Sequence, residues 1–201
     1  MKSLKVFSIA LVAMLLAEGA FAASCKYRQD TNDFFSGVPT LRTARAPVNP
    51  GNCEGDCNAR GTLSMVSEPG SQWIEFDASF TNSYVFAPTQ DVLDNSYTAP
   101  LGTKLEITLA DGSLLELLID EPVIGTTSIT YPYEKNNDNY LVLASARLHF
   151  TLSEADLNAL AAQKSTLVRV VGEKGQLIMP VPTRTQTFMD AAKCLQKDGS
   201  R

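Results

Sequence analysis

The stretch Gln72-Trp73-Ile74-Glu75-Phe76-Asp77-Ala78-Ser79-Phe80 decides the fold class of this 201-residue chain. Apolar and polar side chains alternate along it. The apolar ones, which share one side, are Ile74, Phe76, Ala78 and Phe80. Glu75 and Asp77 share the opposite side. A period of two is that of a β-strand with one buried face. The stretch therefore predicts a half-buried strand that needs neighbouring strands to cover its apolar side.

The flanking segments also have strand patterns. Segment 104–117 contains two strand-like runs joined by Asp111-Gly112, a pair expected to supply the positive φ angles of a tight hairpin turn. Other strand-like runs cover 61–67, 123–133, 139–152, 167–171 and 176–181. Helical spacing occurs only late, after the cap residue Ser153 and again after Thr187. About seven or eight strands predict a mainly β fold, an antiparallel β-sandwich or small barrel with one short helix and a C-terminal helix.

The first 22 residues have the pattern of a secretory signal peptide. Lys2 and Lys5 precede an apolar run that ends in Ala20-Phe21-Ala22. That run is shorter than the roughly 20 residues needed to span a bilayer, and no later segment approaches this length. We therefore expect a periplasmic or secreted protein with no transmembrane helix. In an alternative interpretation Cys25 carries a lipid anchor, but the small residues before Ala23 favour ordinary cleavage.

The composition predicts a single domain with an acidic charge balance. We expect an extended arm with a disulfide-bonded turn over 23–60 and one β-rich domain over 61–201. The chain has 17 basic and 22 acidic residues and a formal charge of −5. Removal of residues 1–22, with Lys2, Lys5 and Glu18, makes this −6. Such a charge disfavours binding to nucleic acid or to an anionic lipid surface.

Four cysteines, an even number in an exported chain, indicate disulfide bonds. Three pairings are possible. Closeness in sequence favours Cys53 with Cys57, which leaves Cys25 to pair with Cys194 and to join the two ends of the domain. A zinc site at Cys53 and Cys57 would need two further ligands. A redox pair would need a lowered thiol pKa, which the acidic residues between these two cysteines oppose.

Few residues suit catalysis. The single histidine, His149, lies in a strand-like run, where a half-exposed sheet residue is expected. Glu75 and Asp77 are candidates for the paired carboxylates of a glycoside hydrolase, although alternating acids are also typical of a sheet's solvent side. Trp73 with Tyr131, Tyr133 and Tyr140 leaves open a sugar- or peptide-binding surface. No nucleophile elbow, phosphate loop or dinucleotide motif is present. The sequence therefore predicts no catalytic residue, no cofactor and no metal.

Close to its start the mature chain has Cys25-Lys26-Tyr27, followed by acidic residues and Phe35-Ser36-Gly37. It also has a helix-like segment starting at Leu152-Ser153-Glu154 and a terminal helix that carries a cysteine. These features resemble small exported bacterial β-domain proteins with paired terminal cysteines. The segment from Leu157 to Leu195 is also similar in pattern to the end of invasion-associated locus B-like periplasmic proteins. Neither resemblance implies a catalytic residue.

These observations favour an exported, disulfide-stabilised β domain with a non-catalytic binding or envelope-structural role. Its partner would be a protein or a small ligand. One alternative is a carbohydrate-active hydrolase that uses strand carboxylates. Another is a secreted inhibitor or immunity-like protein, which would have an exposed apolar or acidic patch.

Overall fold

A computed structural model describes residues 25–32, 39–53, 57–84, 98–130, 140–173, 175–182 and 187–198. The predicted signal peptide lies outside these residues. The strands are β1 (Tyr27–Asn32), β2 (Pro39–Thr43), β3 (Ala46–Cys53), β4 (Cys57–Glu68), β5 (Ser71–Tyr84), β6 (Thr98–Ala99), β7 (Lys104–Leu109), β8 (Leu114–Leu118), β9 (Val123–Ile124), β10 (Thr126–Thr130), β11 (Tyr140–Thr151), β12 (Ser165–Gly172) and β13 (Gly175–Pro180). The helices are α1 (Glu154–Ala162) and α2 (Thr187–Asp198).

The prediction of a mainly β, antiparallel fold is confirmed. Eleven strands form one sheet in the order β10-β11-β5-β4-β3-β13-β12-β7-β8, with β2 also pairing with β4 and β1 with β2. The sheet curls, so that Ile119, just after β8, forms a single bridge with Phe150 of β11. In the described part of the chain the sheet does not close into a barrel, and the fold is sandwich-like.

The alternation in β5 works as the sequence indicates. Ile74 and Phe76 have no exposed surface and pack in the core with Leu148 and Phe150 of β11. Strands β5 and β11 pair along their full overlap, from Tyr84 opposite Tyr140 to Trp73 opposite Thr151. Such side chains each stabilise the fold by roughly 2 kcal/mol when buried. The apolar side of this long strand pair therefore forms part of the core.

The segment predicted as an extended arm is part of the sheet. Strands β1, β2 and β3 all lie within residues 23–60, and β4 runs across the expected domain boundary at residue 61. The described residues form thirteen strands, more than the seven or eight expected. The run 123–133 contributes two of them because β9 and β10 are separate. Polar, proline-rich strands such as β2 and β3 lack the alternation that reveals β5.

Both predicted helices are present, and α1 begins as predicted, whereas α2 includes Thr187, the residue predicted to cap it. Ser153 caps α1, accepting a hydrogen bond from the Asp156 backbone, and Asp156 completes a capping box. The buried faces consist of Leu157, Leu160 and Ala161 in α1 and of Phe188, Ala191 and Leu195 in α2. The two helices pack against each other. Neither helix among the described residues is long and apolar enough to span a membrane.

The hairpin between β7 and β8 differs in detail from the prediction. Gly112 has a φ of 86°, but Asp111 does not have a positive φ. Instead, the Asp111 carboxylate accepts hydrogen bonds from the Ser113 hydroxyl and backbone and from the Gln163 amide. The hydrogen bonds from Ser113 and Gln163 lower the pKa of Asp111 to about 2. Only one of the two turn residues therefore needs glycine's conformational freedom.

This turn gives a direct test. Because its folded-state pKa is lowered, the Asp111 carboxylate should contribute stability above its ordinary pKa and lose it as pH falls through about 2. A carbon-13 NMR titration should place its midpoint near 2, and Ser113→Ala should move that midpoint towards 3.8. An unchanged midpoint in Ser113→Ala would contradict this assignment.

Candidate binding site on the outer face of the sheet

The polar side of β4, β5 and β11 forms what we call the outer face. Alternate residues of a strand point to the same side, so the strand register arranges their side chains in rows across the sheet. One row contains Ser64, Glu75 and His149, and the next contains Thr62, Asp77 and Arg147. A third row contains Arg60, Ser79, Ser145 and Thr126. The register therefore brings ionisable and hydroxyl side chains from four strands together.

Glu75 is buried on this face, which the sequence did not predict. Its side chain is 2% exposed, and both carboxylate oxygens lie 2.6 Å from Nη1 of Arg42 on β2. Arg147 Nε is 3.6 Å from Oε1, and His149 Nε2 is 3.7 Å from Oε2. A carboxylate this buried needs such partners, because an isolated charge in the interior is costly. Strand β2 supplies the main one.

The neighbouring charges also set the acidity of Glu75. Burial would raise its pKa, but the nearby His149 and the charges of Arg42 and Arg147 outweigh burial and lower it. A glycosidase acid needs a raised pKa so that it can hold a proton near neutral pH. The arrangement therefore does not support a hydrolase in which Glu75 is the acid.

Asp77 is also bound to arginines. Its two oxygens accept hydrogen bonds from Arg147 Nε at 2.7 Å and from Arg45 Nη2 at 2.8 Å. The hydrogen bond to Asp77 raises the pKa of Arg147. Both carboxylates proposed from the alternating pattern thus serve to position arginines. The sequence pattern suggested that both acids lie on the solvent side of the sheet, but each has arginine partners in the structure.

A groove of about 630 Å³, which we call the arginine groove, crosses the outer face. Among the described residues its charged lining consists of Arg45, Arg60, Arg147 and Asp77, a local charge of +2. Arg60 is exposed and forms no ion pair within the described part of the chain. The groove also contains the hydroxyl residues of the third row, Ser79, Ser145 and Thr126, and the apolar residues Val123 and Ile124. A concave site with some apolar surface and a few placed polar groups is typical of small-ligand binding.

A second cleft of about 550 Å³ lies between the β4–β5 turn and the two helices. Of the residues that the structure describes, Glu68 and Glu154 are the charged ones that line it, and none of the lining residues is basic. The two clefts therefore have opposite charge.

The structure tests one of the two predicted disulfides. Cys25 and Cys194 form a disulfide with a Cα–Cα distance of 5.5 Å, which links the start of the described chain to α2. The side chains of Cys53 and Cys57 lie outside the described residues, so their pairing stays a prediction. No cluster of three or more potential metal ligands occurs among the described residues. Trp73 contacts His149, with ring centroids 6.1 Å apart.

Sequence reasoning missed the arginine groove. Its residues come from five strands and from Arg45 just before β3, and which of them lie opposite one another depends on the register. The sequence held one signal, because Arg147 lies on the polar side of the 139–152 run. The structure shows that this strand pairs with β5 and sets Arg147 opposite Asp77. Comparison with family models, with curated proteins and with solved structures found no match for this chain. The resemblances given by the two ends of the chain therefore stay predictions.

Proposed function

We propose that the protein is an exported binding domain, periplasmic or secreted, whose arginine groove holds an anionic ligand without performing chemistry on it. The observation that carries this proposal is the local charge of +2 in the groove of a chain whose formal charge is −5. Net charge governs the field far from the molecule. Within roughly 10 Å at moderate ionic strength, the nearby arginines dominate.

The arrangement of the arginines supports binding rather than catalysis. Asp77 fixes Arg45 and Arg147 on its two oxygens, which lowers the entropy cost of ordering them around a ligand. Arg60 retains all its donors for a carboxylate or phosphate oxygen. Ser79, opposite Arg60 in the register, adds a hydroxyl at the same end of the groove.

The disulfide supports the exported location, because such bonds persist in oxidising compartments. It also favours the interpretation without a lipid anchor, since a sulfur bonded to Cys194 is not available for acylation. The signal-peptide pattern of residues 1–22 points to the same location.

The test is calorimetric titration of residues 23–201 with citrate at low ionic strength. We expect binding that weakens as salt is added. Arg60→Gln should weaken it about tenfold, because it removes charge-assisted hydrogen bonds to the ligand. Lys193→Gln, which makes the same charge change on the exposed side of α2, should leave the affinity unchanged.

Two outcomes would contradict the proposal. One is that citrate does not bind. The other is that Arg60→Gln and Lys193→Gln weaken binding equally, which would indicate a response to net charge rather than a site. Spermidine, a cation, should not bind more weakly to Arg60→Gln than to the original protein, because the substitution removes a positive charge.

A further inference from the structure

The arginine groove has an apolar end. Ile124 is 76% exposed, more than any other exposed large hydrophobic side chain among the described residues. It lies in the groove beside Val123, and β9, which holds both, packs against β11. An exposed large aliphatic side chain is unremarkable alone. In a groove that also carries a positive charge, it provides a second kind of contact for one ligand.

We propose that the ligand is a small organic anion with an aliphatic portion, its acidic group at Arg60 and its aliphatic group on Val123 and Ile124. This inference rests on the proposed function of the groove and names the chemical class of its ligand. It commits to a single small molecule rather than a membrane surface or a second copy of the chain.

The row across the sheet separates these two ends. Arg60, Ser79, Ser145 and Thr126 lie directly opposite one another on β4, β5, β11 and β10. Three strand spacings make this row about 14 Å long. Arg60 and Ser79 occupy one end. Thr126, two residues after Ile124, occupies the other. The groove is therefore long enough to hold a short alkyl chain beyond an acidic group.

The middle of the row does not demand polar partners from a ligand. The hydroxyl oxygens of Thr126 and Ser145 are 3.0 Å apart and hydrogen-bond to each other. Arg45 and Arg147 are already engaged by Asp77. Arg60 is thus the groove arginine that forms no ion pair among the described residues, and an alkyl chain that crosses the row can leave the hydrogen bond between Thr126 and Ser145 intact.

The charge excludes a neutral aliphatic ligand as the best fit. An uncharged ligand at Arg60 would displace water from a guanidinium without replacing its hydrogen bonds, which costs affinity. A carboxylate replaces those hydrogen bonds with charge-assisted ones. The two ends of the groove together therefore select a molecule that is both anionic and apolar.

The experiment compares acetate, octanoate and octyl glucoside by calorimetric titration of residues 23–201. Each buried methylene should tighten binding about fourfold, so octanoate should bind at least about tenfold more tightly than acetate. Octyl glucoside, which has the same chain and no charge, should bind more weakly than octanoate. Ile124→Ser should weaken octanoate about fivefold and leave citrate unchanged. Leu118→Ser, at a 57% exposed leucine on β8, should affect neither.

Failure of this inference differs from failure of the proposed function. If citrate binds through Arg60 but octanoate gains nothing over acetate, the groove binds anions and the aliphatic assignment is wrong. Octyl glucoside binding as tightly as octanoate would also overturn it. Sedimentation of the original protein and of Ile124→Ser tests whether a second copy of the chain covers Ile124 instead. A dimer that Ile124→Ser converts to monomer would make Ile124 a self-association contact and overturn the assignment.

Discussion

Replacement of Cys25 and Cys194 by serine should lower the free energy of unfolding by about 5 kcal/mol. The disulfide joins residues 169 positions apart, and in the chain-entropy model a loop of that length restricts the unfolded chain by about this amount. Urea denaturation of residues 23–201, oxidised and as the double serine variant, measures the difference.

The loss should be concentrated at the ends of the domain. Cys25 lies two residues before β1, whose strand partner among the described residues is β2, whereas β5 is paired on both sides. Hydrogen exchange should therefore show lost protection in β1 and α2, with β5 and β11 still protected. A loss below about 1 kcal/mol, or a uniform loss of protection, would contradict this role for the disulfide.

Glu75→Gln should destabilise the protein by about 3 kcal/mol. The substitution keeps the shape of the side chain but leaves Arg42 next to a buried neutral amide, without its carboxylate at 2.6 Å. Breaking one side of a buried ion pair costs more than the pair contributes, because the remaining charge is uncompensated. Chemical denaturation at pH 7 measures the effect.

Two further variants isolate the cause. Glu116→Gln removes an exposed carboxylate that pairs with Lys104 and should cost less than about 1 kcal/mol. Arg42→Met combined with Glu75→Leu removes both charges and should recover most of the stability lost in Glu75→Gln. If the double variant is less stable than Glu75→Gln, the uncompensated charge of Arg42 is not the main cause of the loss, which would contradict this role for Glu75.

The pH dependence of Glu75→Gln follows from the lowered pKa of Glu75. A carboxyl whose folded-state pKa is lowered stabilises the fold above its unfolded pKa and loses that stabilisation as pH falls through the folded value. The stability difference between the two proteins should therefore be largest near pH 7 and shrink in acid, below about pH 4. An equal difference at pH 7 and pH 3 would contradict a charge-based role.

Local patterns predicted much of the fold. The alternation around Ile74 and Phe76 indicates a strand with one buried face, and Ser153 marks the start of α1, because both signals act within a few residues. The Cys25–Cys194 disulfide followed from counting and elimination. Strands β2 and β3 were missed because their proline-rich sequences show no period, although their backbones pair with β4.

The site depends on contacts that local patterns do not show. Glu75 looks like an ordinary solvent-side acid until β2 places Arg42 against it. The arginine groove exists because the register sets Arg60, Ser79 and Ser145 in one row. A shift of one residue would send each side chain to the opposite face. The acidic composition argued against nucleic acid and anionic lipid surfaces, and it did not reveal the local charge of the groove because net charge averages over the whole surface.

Nitrogen-15 NMR can locate the binding site of octanoate and so test whether the arginine groove binds an aliphatic anion. The amide shifts of uniformly labelled residues 23–201 would be followed as octanoate is added, with Arg60→Gln as the matched variant. If octanoate binds in the arginine groove, we expect amide shift changes concentrated at residues 60–62, 77–79, 123–126 and 145–147. These changes should be lost in Arg60→Gln. Changes confined to the cleft beside α1 and α2, where Glu68 and Glu154 lie, or no changes at saturating ligand, would contradict it.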